Sequence, residues 1–254
     1  AIPSLIARLF SAIVITYLCF NHSLTTYYTQ KDILMWDKEI LKKVLNIAIP
    51  NGIENGIFQF IKVALSSVVA LFGTYQIAAN GIAQSIWSLA ALMNSTMAPV
   101  FITVIGQCMG ANDIQAADQY FKILMKWTVI LAVGWNIFVF AITPIFLQFY
   151  NISNQTKEMI IWLVLIHNIF NGFALPYSGA LSNGLRAAGD IKFTMIVSIL
   201  STVLGRFIFS ILLGVYLDLG VIGIALAMCL DWTIRGVIFY FRYQSKVWTK
   251  FKII

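Results

Sequence analysis

The sequence predicts an all-α, polytopic membrane helical bundle with seven spans, and three observations lead to that prediction. First, 60% of the 254 residues are hydrophobic and only 11% are charged, whereas a soluble domain carries about 25% charged residues. Second, the apolar residues are gathered into runs of about 20 residues, the length needed to cross the hydrocarbon core of a bilayer. Third, Lys and Arg are concentrated in alternate loops, as the positive-inside rule describes.

Each apolar run is expected to form a helix, because a spanning segment must satisfy its own backbone hydrogen bonds in lipid. The third and fourth runs are the longest and are expected to tilt or to extend into water. Pro99 lies inside the third run and predicts a kink there. The seven runs cover residues 3–21, 47–72, 77–105, 123–149, 158–182, 193–217 and 221–241.

The distribution of basic residues predicts the orientation of these runs. The loops after the odd-numbered runs, with their flanks, hold twelve Lys and Arg residues, whereas the other loops hold only Lys157. The C-terminus is therefore predicted to be cytoplasmic, in a multi-pass protein of the cell membrane, taken to be a bacterial inner membrane. The net charge of +7 follows from this topology, so membrane lipid is an expected partner and nucleic acid is not.

The chain begins with Ala1 and enters an apolar run at once. That run is too long, and too poor in positive charge before it, for a secretory signal peptide, so we expect a fragment whose N-terminal part is missing. Residues 36–50 read as a short amphipathic helix in which Asp37 caps the first turn and Lys42 and Lys43 face lipid headgroups. The loop after the third run is expected to start its next helix at Asp113.

No pattern in the sequence points to an enzyme. The chain has two histidines, and it contains no HExxH, GxSxG, P-loop or paired-carboxylate spacing. The three cysteines, Cys19, Cys108 and Cys229, lie far apart in or beside apolar runs. Such scattered cysteines form neither a disulfide framework nor a zinc site, and we expect them to be small buried hydrophobic residues.

Polar side chains inside the runs are the candidates for a substrate or proton pathway, because ionisable groups in a membrane are costly unless they meet water, a partner or a substrate. Glu54 and Lys62 are eight residues apart, about 12 Å along a helix, which is too far for an ordinary helical pair. A purely structural role stays open for Glu54, for Lys62 and for His167. The candidates are Glu54, Asn55, Gln59, Lys62, Gln84, His167, Asn171 and Arg206.

Three further expectations concern neighbouring positions. Gly52 and Gly56 form a small-xxx-small pair that permits close helix approach, and Phe58 is assigned to packing or to lipid. Asp231 and Arg235 have the favourable i, i+4 order and are predicted to be a structural pair near the cytoplasmic end of the last run. Arg206 has no acid at helical spacing in its own run and is expected to pair across helices or to face water.

Four segments resemble the multidrug and toxic compound extrusion (MATE) family of transporters. The stretch 179–195, GALSNGLRAAGDIKFTM, resembles the turn after the tenth span of the family, and FITVIGQCMGANDIQAADQYFK (101–122) resembles the exit of the eighth. LNIAIPNGIENGIFQF (45–60) is similar to the start of the seventh span, and DWTIRGVIFYFRYQSKVW (231–248) to the last span of one bacterial branch. The four segments occur in the family's order and cover essentially the whole chain.

The resemblance implies a half-transporter. Residues 1–22 would be the last span of the N-terminal lobe, 23–46 a cytoplasmic connector with the amphipathic helix, and 47–254 the six-helix C-terminal lobe with its tail. The implied partners are small-molecule drugs and the missing N-terminal lobe of the same chain. The implied activity is export of amphipathic, cationic drugs in exchange for H⁺ or Na⁺ by alternating access, without any other cofactor or bound metal.

Two alternatives stay open beside the antiporter. A lipid-linked oligosaccharide flippase of the same superfamily would have a strongly cationic cavity, and Lys62 and Arg206 are the mid-span cations here besides Arg8. A seven-span receptor would share the predicted topology, but the sequence contains neither an Asp-Arg-Tyr nor an Asn-Pro-x-x-Tyr motif. The choice between H⁺ and Na⁺ is open too, because residues 160–189 contain no Asp or Glu, although some family members carry an aspartate there.

Overall fold

The computed structural model describes residues 2–20 and 37–251, and every regular element in these ranges is helical. The chain divides into two compact units, residues 1–48 and 49–254. The helices are α1 (Ile2–Cys19), α2 (Lys38–Val69), α3 (Thr74–Ala90), α4 (Leu92–Gly110), α5 (Ile114–Gln148), α6 (Asn154–Phe173), α7 (Pro176–Ala187), α8 (Ile191–Tyr216) and α9 (Gly220–Gln244).

The predicted helical membrane bundle is confirmed. Among the described residues, α2, α4, α5, α8 and α9 make five helices that are long and apolar enough to cross a membrane. The α6–α7 pair, bent by 51°, adds a sixth if it is one span, and α1 contains a shorter apolar helix, Leu5–Cys19. The count of seven spans therefore stays a prediction. The connector and tail boundaries also stay predictions, and residues 21–36 and 252–254 lie outside the described residues.

Aspartate side chains cap the first turns of α2 and α5. Asp37 Oδ1 accepts hydrogen bonds from the backbone N–H groups of Glu39 and Ile40 at 2.8 and 3.2 Å, which confirms the predicted cap of α2. Asp113 Oδ1 accepts from Ala116 N–H at 2.9 Å and caps α5 in the same way. These bonds satisfy N–H groups that have no partner in the first turn of a helix.

The third apolar run is two helices. It is interrupted at Ala91, between α3 and α4, while α4 continues through Pro99, where the sequence had suggested a kink. Two carbonyl groups just before the interruption find partners on α5. Trp135 Nε1 donates to Leu89 O at 2.8 Å, and Asn136 Nδ2 lies 3.5 Å from Ala90 O. Side chains of a neighbouring helix therefore compensate for the irregular backbone, as a lipid environment requires.

The core lies where these helices meet. α6 packs on α3 and α5, α4 packs on α5 and α7, and α9 packs on α6, α7 and α8. At the turn before α8, Gly189 has φ of +97°, a conformation that favours glycine. Next to it the carboxylate of Asp190 pairs with Arg242 Nε at 2.7 Å and so ties this turn to α9. The turn, which the sequence analysis singled out, is therefore anchored to the last helix.

Candidate functional site

The unit formed by residues 49–254 contains a polar cavity of about 390 Å³ between α2, α3, α8 and α9. We call it the polar cavity. Two cationic side chains, Lys62 from α2 and Arg206 from α8, reach its lining. Aromatic and polar side chains complete the lining, among them Phe58, Trp87, Ser66, Asn80, Gln84, Ser85 and Ser88. No Asp or Glu contributes to this lining, so its formal charge is positive.

Arg206 is held at the cavity wall by two neighbours. Its guanidinium carbon lies 4.8 Å from the centre of the Phe58 ring, a cation–π distance. One of its terminal nitrogens approaches Asp231 Oδ2 at 3.2 Å. Arg206 is only 6% exposed, so this ion pair across helices confirms the expected partner on another helix. Phe58 was expected to face packing or lipid, and its ring packs against this cation while it also lines the cavity.

Asp231 is the centre of a buried charge cluster. It is fully buried, and Arg235 one turn further along α9 also approaches its Oδ2, at 3.7 Å. Ser201 donates its hydroxyl hydrogen to Asp231 Oδ1 at 2.5 Å. The sequence analysis assigned Asp231 to a pair near the end of α9. In the structure it lies near the middle of the helix, and it binds α8 because two charged or polar groups of that helix reach it.

Local backbone geometry brings Arg206 and Ser201 to Asp231. Residues Ser201–Ile208 form a π-helical segment within α8, so the helix is locally wider there. Gly205 lies against α9 in this segment, and a β-carbon placed on it would be 3.3 Å from the α-carbon of Asp231. This close approach lets the Ser201 hydroxyl and the Arg206 guanidinium both reach the carboxylate of Asp231.

The structure brings together some of the predicted site residues and separates others. Lys62, Gln84 and Arg206 line the polar cavity. Asn55 and Gln59 are exposed on α2 and do not line it. The amide of Asn55 donates to Asn51 O of its own helix at 2.9 Å. The expected close approach at Gly52 and Gly56 is not found within the described residues, since a β-carbon on either glycine would meet no other atom within 4 Å.

Glu54 lies in a different place, at an ion pair between α2 and α7. Arg186 Nη2 donates to both carboxylate oxygens at 2.8 and 2.7 Å, and Arg186 Nη1 donates to Asn51 Oδ1 at 3.0 Å. Ser198 of α8 lies 3.4 Å from the same guanidinium. The arrangement gives Glu54 a protein partner, and the bridge connects α2 to α7, the helix that precedes the predicted cytoplasmic turn.

His167 lies behind the polar cavity. It is 2% exposed, and its ring centre is 6.2 Å from Trp87 and 6.3 Å from Trp232. Neither ring nitrogen has a hydrogen-bond partner among the described residues. Trp87 belongs to the cavity lining, so one aromatic ring separates this histidine from the cavity.

Asn171 belongs to a separate set of buried amides between α4, α5 and α6. Asn94 Nδ2 donates to Asn171 Oδ1 at 3.0 Å, and Asn168 Nδ2 donates to Asn136 O at 3.1 Å. Asn171 is fully buried, and the other amides of this set are nearly so. These bonds join buried surfaces of neighbouring helices, a common use of asparagine in membrane bundles.

Sequence reasoning missed two parts of the site. Asn80 and Trp87 line the cavity, and neither was among the candidates. Asn80 is a polar residue within an apolar run, and both residues share a face of α3 with Gln84. The partner of Arg206 was missed because Asp231 lies 25 positions away in sequence. Asp231 also had a candidate partner one turn away in its own helix, Arg235, so the sequence offered no reason to look for a second partner on another helix.

The fold and the cavity together define a polytopic membrane protein with a cationic, partly aromatic site between its helices. The MatE family model matches residues 50–212 of this chain, and the chain therefore belongs to the MatE family. This match confirms the family that the four sequence segments indicated.

Curated relatives extend the match to almost the whole chain. The chain is 22% identical over 98% of its length to the "Uncharacterized transporter YisQ" of Bacillus subtilis (strain 168), of which it covers 54%. It is 20% identical, again over 98% of its length, to the "Probable multidrug resistance protein NorM" of Thermotoga maritima, of which it covers 53%. The chain thus spans about half the length of the curated relatives it matches.

Solved structures share the fold. A structure described as the outward-facing conformation of a multidrug resistance MATE family transporter superposes with a TM-score of 0.84 at 18% identity, over 97% of this chain and 56% of that one. A second, from Pyrococcus furiosus, superposes with a TM-score of 0.74 at 19% identity, over 83% of this chain and 46% of that one. Its title states that the reverse polarity of its binding pocket suggests a different function of a MOP superfamily transporter.

Proposed function

We propose that the native chain is a secondary active efflux transporter of the cell membrane. It would export amphipathic compounds by alternating access in exchange for H⁺ or Na⁺, and these 254 residues would supply its C-terminal half with a cytoplasmic C-terminus. Membership of the MatE family supports the proposal, and so do relatives that are named multidrug resistance proteins. The polar cavity between α2, α3, α8 and α9 is the observation that carries it.

The chemistry of the cavity fits an amphipathic ligand. Phe58 and Trp87 offer aromatic faces, and Asn80 and Gln84 offer amide donors and acceptors. A cavity of this kind, with apolar walls and a few polar groups, is typical of small-molecule sites. The exposed polar face of α2 with Asn55 and Gln59 is the surface that we assign to the other half of the native chain.

The charge of the lining bears on the substrate. Lys62 and Arg206 are the charged groups of the lining, and it contains no carboxylate. A cationic drug, which the sequence analysis expected, would have to find its counter-charge elsewhere in the native chain. The same observation favours a second candidate, a flippase for an anionic lipid-linked oligosaccharide, whose phosphates would bind Lys62 and Arg206.

A pair of dyes separates these possibilities. The native full-length chain would be expressed in an efflux-deficient bacterial host, and the accumulation of cationic ethidium and of an anionic carboxylate dye would be measured. We expect Lys62→Gln to weaken efflux of the anionic dye, because the variant removes a counter-charge from the cavity, and to leave or improve efflux of ethidium. Lys157→Gln, a lysine outside the cavity, is the matched control.

Three outcomes lead to different conclusions. Ethidium efflux that survives in Lys62→Gln supports a multidrug transporter whose cation site lies outside this half. If Lys62→Gln loses efflux of the anionic dye and Lys157→Gln does not, the cavity binds anionic rather than cationic substrates. If the well-expressed native chain exports neither dye, the efflux proposal is wrong, and transfer of a lipid-linked oligosaccharide in proteoliposomes becomes the decisive assay for the flippase.

A further inference from the structure

A second concave surface lies on the outer side of the bundle, away from the polar cavity. It consists of two adjoining hollows of about 600 and 430 Å³, which share Tyr177 and Tyr240. The two tyrosine rings meet edge to face with their centres 5.9 Å apart, at the boundary between the hollows. We call the combined surface the outer groove, and it runs along α9 between α5, α6 and α7.

The two ends of the outer groove differ in chemistry. The larger hollow is lined by aliphatic and aromatic side chains, among them Ile169, Phe173 and Val237, which are 49%, 60% and 48% exposed. The smaller hollow contains Lys122, Lys126 and Gln244. The groove is therefore apolar at one end and basic at the other, and the apolar side chains at its first end are about half exposed on the helix surface.

The basic end has an unpaired cation. Lys122 pairs with Asp118 at 2.9 Å, whereas Lys126 forms no ion pair with any residue in the ranges 2–20 and 37–251. Trp127 and Tyr120 beside these lysines are 54% and 44% exposed. Exposed Trp and Tyr are typical of the depth at which lipid headgroups lie, so the free ammonium group of Lys126 is at headgroup level.

The length of the groove matches one leaflet. Along α9 its lining runs from Thr233 in the apolar hollow to Gln244 in the basic one. Eleven residues of α-helix rise about 16 Å, and half of the hydrocarbon core of a bilayer is about 15 Å thick. The basic end lies at the ends of α5 and α9 that carry the Lys- and Arg-rich segments, on the predicted cytoplasmic side.

We propose that the outer groove binds an anionic phospholipid of the cytoplasmic leaflet. The lipid phosphate interacts with Lys126, and an acyl chain lies along Phe173 and Val237 beneath the pair of tyrosines. Basic pockets between helices on the cytoplasmic side are suited to anionic headgroups. A cationic amphiphile is disfavoured there, since its charge would lie next to Lys126, and the proposal is independent of any substrate of the polar cavity.

Lipid retention by the purified native chain tests the proposal. Detergent-solubilised, delipidated protein would be titrated with dioleoylphosphatidylglycerol or dioleoylphosphatidylcholine, and bound lipids would be counted by native mass spectrometry. We expect the anionic lipid to bind more tightly, and Lys126→Gln to weaken its binding about fivefold, which corresponds to about 1 kcal/mol. Lys192→Gln removes an exposed lysine of the same predicted side that forms no ion pair within residues 2–20 and 37–251, and it should leave binding unchanged.

A second pair of variants tests the apolar end. Val237→Trp places an indole in the groove and should reduce binding of both lipids, whereas Ile234→Trp on the same helix, outside the groove lining, should not. The proposal is overturned if both lipids bind equally to the unmodified chain. It is also overturned if Lys126→Gln behaves like Lys192→Gln, or if Val237→Trp retains as much lipid as Ile234→Trp.

Discussion

Replacing Asp231 by Asn tests whether the buried charge cluster holds α8 against α9. The two guanidinium groups lie 3.2 and 3.7 Å from Asp231 Oδ2, and their side chains, from Arg206 and Arg235, are 8% and 13% exposed. At an effective dielectric constant of about 20, each pair at these distances is worth about 5 kcal/mol of Coulomb energy. Repulsion between the two arginines and the cost of desolvation reduce that sum.

The net loss should be about 3–5 kcal/mol, the range for a buried ion pair that loses one partner. Most of that loss comes from the two arginines that remain buried without their counter-charge. The double variant Asp231→Asn/Arg206→Met should therefore be more stable than Asp231→Asn alone, since it removes one of the uncompensated cations. Glu158→Gln makes the same chemical change at an exposed carboxylate and should cost within about 0.5 kcal/mol.

The assay is thermal unfolding of the detergent-solubilised native chain, followed by the loss of its monodisperse peak in size-exclusion chromatography. For Asp231→Asn we expect a fall in Tm of about 10 °C, and for the double variant a partial recovery. The reasoning is refuted if Asp231→Asn unfolds at the same temperature as Glu158→Gln. It is also refuted if the double variant loses as much as the sum of the two single variants.

Two further predictions use the same purified chain. Gly223→Ala should destabilise the chain by about 1–3 kcal/mol or more, because the new β-carbon would lie 2.6 Å from the carbonyl carbon of Leu213. Gly81→Ala is the control, since its β-carbon meets nothing within 4 Å, and it should be neutral or slightly stabilising. Equal melting temperatures of the two variants would contradict the packing of α8 on α9. Glu54→Gln should lower Tm and weaken ethidium efflux, and adding Arg186→Gln should restore Tm. Efflux that stays low in the double variant would assign Glu54 to the transport pathway, and efflux that recovers with Tm would assign it to structure.

The sequence was most informative about the helices, because their signal is local. The apolar runs are helical in the described residues, although the third and fifth runs each contain two helices. The caps at Asp37 and Asp113 follow from residues within the same turn. The interruption at Ala91 could not be predicted in this way. Ala91 is a good helix former, and the break depends on Trp135 and Asn136 of another helix, which accommodate the carbonyl groups before it.

The candidate site was less predictable, because its residues are distant in sequence. Lys62, Gln84 and Arg206 became candidates only because a polar side chain is costly inside a membrane-spanning run. In the structure the three side chains line one cavity. The same criterion grouped Glu54 with Lys62, but a carboxylate in a helix is equally satisfied by a partner on another helix. Arg186, 132 residues away, is that partner, and no local pattern connects the two positions.

Lys62 differs from the charged side chains near it in α2, α8 and α9, because it has no ion-pair partner within the residues that the structure describes. Glu54, Asp231, Arg206 and Arg235 all have ion-pair partners within the residues that the structure describes, whereas no carboxylate of those residues lies within 4.0 Å of the Lys62 ammonium. A cation in a membrane-spanning helix needs water, a partner or a ligand to offset its desolvation. Lys62 lines the polar cavity, and under the proposed function an anionic group bound in that cavity would offset its charge. Lys62→Gln, rather than a change at the paired arginine, is therefore the variant that tests the substrate.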